Sequence, residues 1–131
     1  MNDLEQSVLQ AADRLVAAFA RHDRTGYFSA FAPEATFIFH TLDRPLKSRA
    51  EYEAEWSLWE ERDGFRVRAC RSSERHVQTV GDVAVFTHRV ETDLEFNGAP
   101  TTADERETIV FQLLSSGEWV AVHEHLSRRS E

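Results

Sequence analysis

The sequence predicts an α+β fold with helices covering one face of an antiparallel sheet. Helical spacing and helix caps are concentrated before Gly64, whereas from Phe65 onward the apolar period changes to two and turn signals separate long strands. No alternation of strand and helix follows, which excludes a parallel sheet covered on both sides.

Leu4, Val8, Ala12, Leu15 and Phe19 recur at helical spacing, and Asn2 with Glu5 has the geometry of a capping box, so residues 3–21 read as an amphipathic helix. Asp23 can cap a shorter helix through Tyr27, Phe28 and Phe31 that Pro33 should stop. The run ATFIFH, 35–40, is aromatic and β-branched and reads as a short buried strand. Ser48 with Glu51 forms a second capping box, opening a helix over SRAEYEAEWSLWEERD that ends at Gly64 and carries a stripe of Tyr52, Trp56 and Trp59. Strands are expected at 65–79, 83–96, 102–114 and 118–127, with turns at Gly81-Asp82, Asn97-Gly98 and Ser115-Ser116-Gly117. Pro100, just after Asn97-Gly98, predicts an irregular hairpin there.

A length of 131 residues fits one domain, 1–131, that can bury a core without metal or disulfide staples. The formal charge of -8 repels a phosphate backbone, so nucleic acid is not an expected partner. No apolar run approaches the roughly 20 residues that cross a bilayer, so no membrane partner is expected either. The opening MNDLEQSVLQAADRL lacks the blocks of a secretory signal, and the lone Cys70 fits a reducing compartment; a cytoplasmic location is the expectation.

Candidate chemistry rests on histidines. On the strand at 83–96, Ala84, Phe86, His88, Val90 and Thr92 share the apolar phase, which puts His88 inside. His40 ends the ATFIFH strand. His123 and His125 share one strand face with Trp119, Ala121 and Ser127, leaving Val120, Val122 and Leu126 to pack on the helices; the pair is therefore expected on the outer face. This lone H-x-H has no third ligand at a usual spacing, so no metal is expected, and no motif calls for a cofactor. No nucleophile elbow or phosphate loop is present, which leaves acid-base chemistry, with Arg106 as a possible anion clamp. Arg106 and Thr108 share one face of the strand at 102–114 and Glu107, Ile109 and Phe111 the other; the sequence does not say which is interior. Trp56 is expected in the core, with contact to a ligand as the alternative.

The order of elements, with HVQTVGD at 76–82 and GEWVAVHEHLS at 117–127, resembles the nuclear transport factor two-like superfamily, in particular its SnoaL-like branch and the calcium/calmodulin-dependent kinase II association domain. The resemblance implies a cone, a strongly curved antiparallel sheet wrapped around three helices of the N-terminal half. It also implies a pocket between sheet and helices and a homodimer through the outer sheet face. It implies a His or Asp general base in the cone, although no Tyr-plus-Asp pair like that of the steroid isomerases stands on the strands of this sequence. Arg106 lies on the same penultimate strand as a pocket arginine of the association domains.

Two functions remain open at this stage. One is a cofactor-independent isomerase, cyclase or dehydratase acting by acid-base chemistry on a small apolar molecule, with His88 or His40 as base and Arg106, Trp56, Thr108 and His125 as ligand contacts. The other is a non-catalytic homodimeric binding or assembly domain whose pocket takes a carboxylate.

Overall fold

The computed structural model describes residues 2–129. Three helices, α1 (Asp3–Ala20), α2 (Arg24–Ser29) and α3 (Arg49–Asp63), accompany five strands: β1 (Phe31–Phe39), β2 (Arg66–Val80), β3 (Val83–Phe96), β4 (Ala99–Leu113) and β5 (Trp119–Arg128). They form the expected α+β cone, with one open sheet in the order β1-β5-β4-β3-β2. The strands from β2 to β5 pair antiparallel with their sequence neighbours, while β1 joins β5 in parallel.

The caps form largely as the sequence dictates. Asn2 and Glu5 satisfy each other's backbone amides at 2.7 and 3.2 Å, which closes the capping box on α1. At α3 only half of the box forms. Ser48 accepts from the Glu51 amide, but the Glu51 carboxylate reaches one residue further back, to the Lys47 amide at 2.9 Å. Gly64 ends α3 in the left-handed region, with φ 60°, and a Cβ there would meet the Asn97 backbone.

Several boundaries differ from expectation for identifiable reasons. Asp23 does cap α2, but that helix stops at Ser29, and Phe31 to Pro33 belong to β1. Pro33 survives in a strand because β1 is an edge, and because pairing with β5 is interrupted between Phe31 and Thr36, where no amide is required. The Asn97-Gly98 hairpin is regular: both residues have positive φ, and Glu95 stands opposite Pro100 in unbroken register. β4 consequently starts at Ala99 rather than at 102.

The interior is aromatic. Tyr27, Phe31, Phe37, Trp56, Phe86 and Phe111 are all buried to 2 % exposure or less, and each such side chain stabilises the fold by roughly 1.5–3 kcal/mol on burial. On β4 it is Glu105, Glu107, Ile109 and Phe111 that face the helices, which resolves the ambiguity of that strand. On β5 the alternation breaks: Phe111 pairs with Ala121 but Val110 pairs with His123, so Val122 is an extra, bulged residue. Trp119 and Ala121 before the bulge point inward, and so does Glu124 after it, while His125 is exposed. The expected face of Trp119 is thereby corrected. It is 7 % exposed, and its indole donates to the Ser7 hydroxyl at 2.9 Å instead of lying on the outer sheet face.

Deleting Val122 would remove the extra residue and leave Trp119, Ala121, Glu124 and Leu126 together on the inward phase of a plain strand, with His123 and His125 still outward. Cooperative unfolding is expected to persist in urea denaturation, with a loss of no more than about 3 kcal/mol. Loss of cooperative unfolding would contradict the role given to the bulge.

Candidate functional site

α1, the end of α3 and the inner face of β2 to β5 enclose a cavity of about 470 Å³, within the range of small-molecule sites. Its walls are mostly apolar, including Phe19, Phe39, Trp59, Phe65, Leu94 and Leu126. The polar groups that reach it are few and connected, and they come from elements far apart in sequence. Tyr27 stands on α2, Tyr52 on α3, Glu107 on β4 and Glu124 on β5.

These groups form one hydrogen-bonded chain. The Tyr27 hydroxyl donates to Glu124 Oε1 at 3.1 Å, so its own oxygen accepts from the Tyr52 hydroxyl at 2.9 Å. Glu124 is in turn hydrogen-bonded to Glu107. Burial, then the Glu107 charge, pushes the Glu124 carboxyl well above the usual carboxylate range. Burial also lifts Glu107, but the hydrogen bond from Glu124 opposes the rise. Two buried carboxylates in contact would repel each other with little solvent to screen them, which favours one proton shared by the pair, and the larger upward push on Glu124 favours it as the carrier.

Behind Glu107 stands His88, with Nε2 at 2.6 Å from Glu107 Oε1 and Nδ1 at 2.6 Å from the Ser72 hydroxyl. Burial, reinforced by the Arg75 cation, lowers its pKa to about 4. A neutral imidazole has one N–H to give; it goes from Nε2 to Glu107, and Ser72 donates to Nδ1. No buried side-chain nitrogen or oxygen among the described residues lacks a partner.

At the cavity mouth, His40 Nε2 lies 2.6 Å from Glu105 Oε2. Burial raises the pKa of Glu105, an effect that the hydrogen bond to His40 counters. Cys70 also lines the cavity, but burial pushes its thiol up to about 12, so it is no thiolate nucleophile.

The expected site residues separate into three places. His40 is on the cavity wall, whereas His88 is 2 % exposed and touches the site only through Glu107. Trp56 is fully buried, its Nε1 donating to Glu60, and Trp59 is the tryptophan that meets the cavity. Arg106, Thr108 and His125 do come together, but in a groove of about 360 Å³ that also includes Arg89 and Ser127. Arg106 is exposed on the face of β4 opposite Glu105 and Glu107, so no cone aromatics surround it, and its expected part as an anion clamp inside the cone is corrected. His123 is held by Thr36 at 2.8 Å. No group of three His, Cys, Asp or Glu side chains among the described residues is placed to hold a metal ion.

Sequence reasoning missed Glu107, Glu124, Tyr27 and Tyr52. The strands carry no Tyr-plus-Asp pair, and here the tyrosines come from helices and the acids are glutamates. Plain alternation through β5 does place Glu124 inward, with Val120 and Val122, but an acid on that phase carries no local signal of its partner Glu107 on β4.

Comparison with known proteins adds the following. A family model described as SnoaL-like domain matches residues 8–129. A comparison with curated proteins finds no match. Among solved structures, a ketosteroid isomerase-like protein from Erwinia carotovora atroseptica SCRI1043 is similar, with TM-score 0.82 and 20 % identity over 100 % of both chains. A nuclear transport factor 2 (NTF2-like) superfamily protein from Salmonella enterica serovar Typhimurium gives 0.82 and 17 % over 98 % of this chain and 92 % of that one. The CaMKII hub of S. rosetta gives 0.74 and 22 % over 94 % and 95 %. At these identities the likeness is one of fold.

The state of His88 has a consequence for stability. Its folded pKa of about 4 lies below the unfolded value near 6.5, so unfolding takes up a proton between the two. Its contribution is fully present above about pH 6.5 and is lost as pH falls towards about 4. Histidine-resolved NMR is expected to show the ring neutral at pH 5.5; titration near 6.5 would contradict it.

Proposed function

Because the chain belongs to the SnoaL-like family and its cavity encloses two carboxyls that share one proton, we propose that it binds an apolar carbonyl compound and moves a proton on it without a cofactor. The carrying observation is the Glu107/Glu124 pair on the cavity wall. Burial makes the ionised member a stronger base than a surface carboxylate, and its neighbour already holds the acid proton. Glu107 takes the proton from the carbon next to the carbonyl. The electron pair of the broken C–H bond passes to the carbonyl oxygen, which accepts a hydrogen bond from the protonated Glu124. Return of the proton to the same carbon gives exchange; in a substrate with a β,γ double bond the electron pair also reaches the γ carbon, and return of the proton there, as the double bond moves into conjugation, completes an isomerisation.

The other residues support this cycle. His88 is a positioning residue: its Nε2–H fixes the Glu107 carboxylate, and Ser72 fixes the ring. The Tyr52 and Tyr27 hydroxyls hold Glu124 at the other end. His40, oriented by Glu105, is a further base at the mouth.

The test is exchange of the α-hydrogens of a panel of apolar cyclic ketones in heavy water, followed by proton NMR. Acceleration of at least one ketone is expected, falling by about 10²-fold or more in Glu107→Gln. The reading fails if no ketone exchanges faster with the native protein than with the variant.

A second reading is favoured by the outer groove. Arg106 is exposed there and has no ion-pair partner among the described residues, beside Thr108 and His125. We propose this face for self-association, with a carboxylate as the small ligand of the free groove. Sedimentation at micromolar concentration is expected to give about twice the chain mass of 15.1 kDa; a species at the chain mass would contradict a homodimer.

A further inference from the structure

The cavity mouth carries a charge that the protein itself leaves without a fixed counterion. Glu105 is 8 % exposed and lines the cavity, and its one ion-pair partner among the described residues is His40, an imidazole that is charged only when protonated. Arg128 is its register partner on β5, but that side chain is exposed and makes no ion pair with it. The arginines instead face carboxylates at the surface: Arg68 pairs with Glu95, Arg71 with Asp93, Arg75 with Asp13 and Arg89 with Asp104. Arg62, the one arginine on the cavity wall, is already bound to Asp63 at 2.7 Å.

Resting on the reading of the cone as a ligand site, we infer that its ligand is an apolar molecule bearing a protonated amine, with the ammonium on Glu105 and the apolar body among the aromatic walls. An ammonium supplies the permanent positive charge that a buried carboxylate needs. Tyr52, Trp59, Phe39 and Phe65 line the same cavity, and their ring faces favour a cation while accommodating its hydrocarbon part. An anionic ligand would meet Glu105 and the single negative charge of the Glu107/Glu124 pair with no unpaired arginine to offset them. Glu105 and Glu107 are two residues apart on one strand face, so their backbones lie about 7 Å apart. The amine of such a substrate would therefore lie a few bonds from the carbon that loses its proton.

Three ligands of nearly one shape separate the possibilities: naphthylethylamine, naphthylethanol and naphthylacetate, titrated calorimetrically at neutral pH and low salt. The amine is expected to bind at least about tenfold more tightly than the alcohol, a difference of about 1.4 kcal/mol, and the carboxylate to bind most weakly. Glu105→Gln is expected to bring the amine down to the affinity of the alcohol and to leave the alcohol unchanged. Should that variant fail to fold, the native ranking decides alone. An alcohol or carboxylate that binds as tightly as the amine overturns the charge assignment and leaves the cavity as a site; so does a Glu105→Gln that weakens amine and alcohol equally. Binding by none of the three overturns the cavity as a ligand site, and the proposed function with it.

Discussion

One shared proton organises the inside of the cone. Glu107 and Glu124 are both buried and in contact, and water is not available to screen two negative charges there. One proton between them turns a repulsion into a hydrogen bond, and the remaining lone pairs determine the neighbours. Glu107 needs a donor and receives the Nε2–H of His88; Glu124 receives the Tyr27 hydroxyl, and Tyr27 that of Tyr52. The chain thus links β2, β3, β4 and β5 to α2 and α3 through polar contacts inside an aromatic core. Removing any member would leave a buried partner unsatisfied, which costs roughly 1–3 kcal/mol for a neutral group and more for a charged one.

The bulge at Val122 allows this arrangement. β5 uses one phase to bury Trp119 and Ala121 against the helices and the other to bring Glu124 beside Glu107. Paired regularly through Val122, the strand could not place both sets inside. The same phase change sends His123 and His125 outward, so the most conspicuous pair in the sequence is distant in role from the cavity, and the acid hidden between them is central.

That contrast shows what was legible. Helix caps at Asn2, Asp23 and Ser48, the α+β order and the inward phase of His88 are local or period-two signals, and they read directly. So does the outward direction of His123 and His125, although the companions assigned to them were wrong for Trp119 and Ala121. Pro33 in β1 and the regular hairpin before Pro100 depend on which strand is an edge and where pairing lapses. The interior face of β4 was undecidable because Arg106 and Thr108 on one side and Glu105 and Glu107 on the other are equally polar. The site itself is a tertiary fact: its carboxyls violate the usual rule that charge faces water, and its tyrosines come from helices rather than from strands. The charge distribution follows the same division, with arginines on the surface and the cavity carboxyls Glu105, Glu107 and Glu124 matched to tyrosines and imidazoles.

The protonation of Glu124 at neutral pH is the claim on which the polar chain and the proposed chemistry both rest, and isotope-edited infrared spectroscopy with labelled glutamate reads it directly. The expected result is a carbonyl stretch of a protonated carboxyl at neutral pH that disappears in Glu124→Gln and persists in Glu105→Gln. A spectrum showing only ionised carboxylates at neutral pH would contradict it.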